Sequence, residues 1–177
     1  MTHRSSAWLV TILAGLLAAC SGVSVNSDYD QSYDFSKLHN YAWADISGDK
    51  QAADQITLRR VMDATDQALA AKGFAKSDPS QANFLVAIQT GKQQQTQYNT
   101  YGMGGWWRGG GMTTTTEQNY DTGTLILDMV DANKKELIWR GSASGVVNPG
   151  DSTEKKTQNV NEAVTKILAN FPPTKSS

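Results

Sequence analysis

Cysteine occurs once, at position 20, in a chain of 177 residues. A lone thiol closes no intrachain disulfide and builds no cysteine-based zinc site. Histidine is almost as scarce, with only His3 and His39. Charge of either sign is not in excess: 16 basic residues face 17 acidic ones. Without a basic surplus the chain lacks the electrostatic footprint that draws a protein onto nucleic acid, so no nucleic-acid partner is expected. Long apolar runs are also missing. Ala7–Leu17 is uncharged and mostly apolar, but a membrane-spanning helix needs about 20 such residues.

That short run has its own meaning. Met1–Ser6 is polar, with Arg4 as its firm positive charge. A positive start, a short apolar run and small residues behind it describe a secretory signal peptide. The end of the run, Leu17-Ala18-Ala19-Cys20, resembles the bacterial lipobox. That motif requires a thiol nucleophile, with small side chains where the peptidase closes on the backbone. The resemblance implies that residues 1–19 are removed and that Cys20 carries a diacylglyceryl thioether and an acylated amine. Plain secretory cleavage after Ala19 is the alternative, and it would leave an unpaired thiol in an oxidising compartment. A buried N-terminal helix is a further alternative, with no amphipathic pattern or cap to support it. Two or more chains anchor firmly, at ~0.8 kcal/mol per buried methylene. Ser21, where inner-membrane lipoproteins carry aspartate, implies by the same resemblance an address on the periplasmic face of the outer membrane.

Loss of the leader takes Arg4 with it and leaves 15 basic against 17 acidic residues in a domain spanning 20–177. That is enough chain for one domain with a real core. Val23 and Val25 alternate with polar residues, and Tyr41-Ala42-Trp43 suggests a second short strand. The tether between lipid and fold is therefore a few residues. Leu58, Val61, Met62, Thr65, Ala68 and Leu69 form one apolar stripe of a helix over 56–72, closed by Lys72-Gly73. Phe84, Val86 and Ile88 share one face of a strand that continues in polar form to Tyr98. Gly102–Gly111 is expected as a loop. Alternation across Leu125–Val130 and Leu137–Ala143, with a turn at 131–135, predicts a hairpin over 124–143. A last helix carries Val160, Val164, Ile167, Leu168 and Phe171 on one face. Asp151 or Ser152 is expected to cap it, Asp151 and Glu154 resemble a capping box, and Pro172-Pro173 stops it. The expected fold is α+β: an antiparallel sheet of about five strands with two helices on one face, in the order ββ-α-β-β-β-α.

Gly123-Thr124-Leu125-Ile126-Leu127-Asp128-Met129-Val130-Asp131, followed by Leu137-Ile138-Trp139-Arg140-Gly141, resembles a bacterial lipoprotein family catalogued as domain-of-unknown-function family 4136. Tyr33-Asp34-Phe35-Ser36 ahead of Tyr41-Ala42-Trp43, and Lys72-Gly73-Phe74 ahead of Asp78-Pro79, agree with it. The resemblance covers nearly all of the mature chain. It implies an envelope lipoprotein and brings no catalytic residues with it.

Few constellations could carry chemistry. His39 is the one histidine left after leader removal, in a polar connection, and neither a nucleophile elbow nor a zinc-protease motif accompanies it. Asp28, Asp30 and Asp34 cluster as calcium ligands do, but the loop spacing of known calcium sites is absent, which favours a solvated acidic turn. Asp128, Asp131 and Arg140 share one hairpin; they could do acid/base work, or form a cross-strand ion pair and a turn cap worth ~0.2–1 kcal/mol. No metal, cofactor or catalytic residue is assigned. The unusual stretch is Gly102-Met103-Gly104-Gly105-Trp106-Trp107-Arg108-Gly109-Gly110-Gly111. It has no phosphate-loop lysine. Trp and Arg dominate binding hot spots, and Trp prefers membrane interfaces. Trp106, Trp107 and Arg108 are thus candidates to meet an envelope protein, a glycan or the nearby lipid; otherwise the tryptophans fold back over the sheet face that the helices leave bare. The functional expectation is a non-enzymatic, lipid-anchored binding or structural module of the envelope, with a periplasmic hydrolase or an envelope-assembly factor as alternatives.

Overall fold

The computed structural model describes residues 22–44, 52–103 and 112–174. Among them are six strands: β1 (Ser24–Tyr29), β2 (Asn40–Trp43), β3 (Ala75–Lys76), β4 (Phe84–Met103), β5 (Met112–Asp131) and β6 (Leu137–Val147). Helices α1 (Ala52–Ala71) and α2 (Thr153–Leu168) accompany them. The strands lie in the order β1-β6-β5-β4-β2-β3. The α+β class and the two helices agree with the sequence reading. The sheet is mostly antiparallel, as expected, but the strand number, the strand order and the direction of β2 differ.

β1 does not pair with β2. It joins the opposite edge of the sheet, antiparallel to β6. β2 runs parallel to both β3 and β4. The chain passes from β2 to these strands through α1, and a helical crossover returns a strand in the same direction, whereas a tight hairpin reverses it. β3 has two residues, too few to show a period.

The one-sided patterns do build the core. Phe84, Val86 and Ile88 of β4, Leu125, Leu127 and Met129 of β5, and Trp139 and Ala143 of β6 meet Val61, Ala64 and Leu69 of α1 and Val164, Ile167 and Leu168 of α2. Phe171, just past α2, packs between Phe74, Phe84 and Trp139 at ring separations of 5.4, 5.6 and 5.1 Å. Such pairs add roughly 0.5–1.5 kcal/mol each beyond area burial. Leu137 breaks the expected alternation and is 47% exposed. The register slips between Met129 and Val130, so Ile138 is the extra residue of a bulge and Leu137 turns away from the core.

Both helix ends follow local chemistry. Gly73 takes φ +89°. Its N–H reaches Ala70 O and the Phe74 N–H reaches Leu69 O, both at 3.0 Å, which satisfies the last carbonyls of α1. Ser152, not Asp151, caps α2 and accepts from the Lys155 N–H at 3.2 Å. Asp151 therefore sits one residue ahead of the cap, and the box read from Asp151 and Glu154 does not form.

β4 and β5, at 20 residues each, pair without a break from Phe84 opposite Asp131 to Met103 opposite Met112. β4 thus passes the expected end at Tyr98 and takes in Gly102 and Met103. β5 begins at Met112, well ahead of the hairpin start expected at 124. Trp106, Trp107 and Arg108 lie outside the described residues, as does Cys20.

Gly141 is where the helix layer approaches the sheet most tightly. A Cβ there would stand 2.6 Å from Ile167 Cγ2 and collide with the Trp139 ring. Both neighbours are buried, so neither can yield cheaply. Gly141→Ala is expected to destabilise the fold by about 1–3 kcal/mol, read as a lower denaturant midpoint at unchanged slope; an unchanged midpoint would show that the helix layer gives way.

Candidate functional site

The register fixes which residues stand level across the sheet. Ser24 of β1, Ser144 of β6, Thr124 of β5 and Gly91 of β4 form one row. β6 pairs with β5 only as far as Val147 opposite Asp121. β2 pairs with β4 only over Phe84–Val86. From Gln95 opposite Tyr120 to Met103 opposite Met112, each strand therefore has only the other as partner among the described residues. This is a two-stranded arm of nine residue pairs, about 30 Å long at ~3.3 Å per residue. It extends past the sheet and past the helix-covered core.

Such a ribbon is marginal by itself. Its strands, Gln95–Met103 and Met112–Tyr120, read QTQYNTYGM and MTTTTEQNY, with Glu117 the one charged residue. It lacks the lysines and prolines that commonly guard exposed strand edges.

The sheet face away from the helices is polar. Asp28, Arg140, Asp128 and Ala87 stand level on it, as do Asn26, Ser142, Ile126 and Gln89. Arg140 donates to Asp128 in a bidentate pair, Nε to Oδ1 at 2.6 Å and Nη2 to Oδ2 at 2.7 Å. Gln89 Nε2 adds a third bond to Oδ2 at 3.0 Å. Asp128 is 5% exposed, while the Arg140 side chain is 46% exposed and has its basicity raised by that carboxylate. Antiparallel sheets tolerate one such solvated face.

The other carboxylates are taken up by turns. Asp131 Oδ1 accepts from the Asn133 and Lys134 amides at 2.9 and 2.8 Å, and its Oδ2 accepts from Tyr33 Oη at 2.7 Å. Burial pushes the Asp131 carboxyl up, but these donors outweigh it and hold it below its ordinary value. Burial and the same carboxylate raise the Tyr33 hydroxyl. Asp128, Asp131 and Arg140 thus make the cross-strand ion pair and turn cap. Asp28, Asp30 and Asp34 do not converge: Asp28 accepts from the Tyr29 amide, Asp30 from Ser32, and Asp34 from Ser36. His39 is exposed and serves through its backbone, donating to Asn83 Oδ1 and accepting from Ala75.

One polar cluster escaped the sequence reading. Asp66 of α1 accepts from Tyr41 Oη at 2.8 Å and Trp43 Nε1 at 3.0 Å, while Lys76 Nζ sits 2.8 Å from its second oxygen. It ties α1 to the β2–β3 edge. Tyr41 and Trp43 two residues apart hinted at a shared face, but nothing near Asp66 in the sequence marked it as their partner.

The model of the family described as "Domain of unknown function (DUF4136)" matches residues 25–173. The chain belongs to this family. No curated protein matches it. Among solved structures, the DUF4136 chain is similar to a PDZ domain protein from Parabacteroides distasonis, with 12% identity and a TM-score of 0.53, covering 88% of this chain. It spans 36% of that protein, and at such identity the likeness concerns the fold alone. PelC of the dodecamer from Paraburkholderia phytofirmans matches more loosely, with 10% identity over 82% of this chain and 94% of that one and a TM-score of 0.46.

Because the Asp131 carboxyl is held below its ordinary pKa in the folded state, its carboxylate stabilises the fold above the unfolded value near pH ~4 and ceases to as pH falls through the folded one. Asp131→Asn is expected to lower Tm at neutral pH, with the gap to the parent chain closing as pH drops below about 4. A gap that stays constant with pH would show that the carboxylate's charge is irrelevant to the turn.

Proposed function

We propose that this DUF4136 protein is a lipid-anchored, non-enzymatic binding or structural module of the bacterial envelope, with the β4–β5 arm as its working surface. The observation that carries the reading is the arm itself. Nine residue pairs continue past the ends of the strands that flank β4 and β5, and ordering a two-stranded ribbon, marginal by itself in water, costs conformational entropy. Contact outside the chain is the natural return for that ordering. The non-enzymatic part is supported by the occupancy of the carboxylates: Asp128 is held by Arg140 and Gln89, and Asp131 by two amides and Tyr33. The anchor is supported by the lipobox-like Leu17-Ala18-Ala19-Cys20 and by Ser21 after it, which together argue for the outer membrane's periplasmic face. No helix among the described residues is long and apolar enough to cross a membrane.

A photo-crosslinking residue placed at Thr100, in the arm, is expected to form adducts in intact cells. The same residue at Asn133, in the β5–β6 turn, is expected to form none. Adducts absent from Thr100, or equal at both positions, would remove the arm as the working surface. The mass of the mature N-terminal peptide, measured on the same sample, reports the lipid on Cys20; an unmodified cysteine would remove the anchor.

A further inference from the structure

The arm and the tether leave the sheet at the same end. β1 and β5 run in the same direction, each antiparallel to β6, with Ser24 and Thr124 level through Ser144. Going backwards from Ser24 toward Cys20 therefore heads the same way as going from Thr124 toward Met112.

Chain lengths then limit how the anchored domain can stand on a membrane. Cys20 lies four positions before Ser24, a reach of at most about 14 Å. From Gly91, level with Ser24, β4 runs on to Met103, about 40 Å further in that direction at ~3.3 Å per residue. On the other side of the row the sheet continues from Ser144 to Leu137, about 23 Å. For the arm to point away from a bilayer holding Cys20, the tether would have to run back along those 23 Å of folded domain. It is too short to do so. While lipid holds Cys20, the arm cannot stand straight away from the bilayer: it points toward the bilayer or lies inclined along it.

Resting on the lipid anchor and working surface argued above, we propose that the arm's partner is the lipid bilayer itself: in the lipidated protein the β4–β5 arm lies against the headgroup layer of the membrane that holds Cys20. The arm's chemistry fits that occupant. Glu117 is the one acidic residue over Gln95–Met103 and Met112–Tyr120, so little repels it from an anionic surface. Tyrosine, the amphipathic ring type that settles at headgroup depth, occurs in the sequence of both arm strands, at 98, 101 and 120. The Gln, Asn and Thr residues between them hydrogen-bond headgroups and water without the cost of burying charge.

The test uses the full lipidated chain in vesicles of phosphatidylethanolamine and phosphatidylglycerol that carry brominated acyl chains. Because the Cys20 sulfur is a thioether in that protein, Thr100→Cys offers one free thiol for a fluorophore. Thr115→Cys, the register partner of Thr100, repeats the measurement from the other strand. Asn133→Cys marks the far end of the sheet. The expected result is a blue shift and loss of emission for the two arm labels, and neither change for the label at 133. Arm labels no more quenched than the label at 133 would overturn the orientation. Should those labels stay dark to lipid while Thr100 still crosslinks protein in cells, the working surface survives and only its lipid partner is lost. A mature N-terminus without lipid would overturn both.

Discussion

Strand pairing keeps a single register where one face of the pair is buried, because a slip of one residue would turn every apolar side chain outward. In the β4–β5 hairpin that condition is met in the inner half. Phe84, Val86 and Ile88 against Leu127 and Met129, under Ile167 and Leu168, fix how β4 lies on β5. The outer half of the same hairpin continues that register without a break, from Gln95 opposite Tyr120 to Met103 opposite Met112. The arm's length, the rows across the open face and the level at which β1 enters all depend on that one locked segment.

The helix layer makes the lock tight. Gly141 leaves room for Ile167 and the Trp139 ring, and Phe171 closes the gap between α2 and the aromatic residues of the sheet. Asp66 then holds α1 to the other edge through Tyr41, Trp43 and Lys76. The Asp128–Arg140 pair on the open face and the Asp131 cap in the turn hold further strands and turns together.

The sequence made the buried parts legible and the unburied parts obscure, for a physical reason. Val61, Leu69, Val164 and Ile167 recur at helical spacing because a helix buries one side; Leu125, Leu127 and Met129 alternate because a strand does. Beyond Tyr98, where the polar continuation of β4 was expected to end, neither the rest of β4 nor Met112–Tyr120 carries an apolar alternation that marks a strand. The parallel placement of β2 was hidden too, since Tyr41-Ala42-Trp43 reads the same whichever way its neighbour runs. Asp66 looked like any solvated helix carboxylate, as its partners lie 23 and 25 residues away in the chain. Of the candidate site, the sequence showed Cys20 and Trp106, Trp107 and Arg108, all outside the described residues, and the first strand of the arm only as far as Tyr98.

Hydrogen exchange on the lipidated chain tests most directly whether the arm owes its stability to something outside the molecule. Compared between detergent and lipid vesicles, amides of 84–90 and 125–131 are expected to be equally slow in both. Amides of 95–103 and 112–120 are expected to exchange fast in detergent and slowly on vesicles. Equal protection of the arm in both settings would contradict the view that its ordering depends on an external surface.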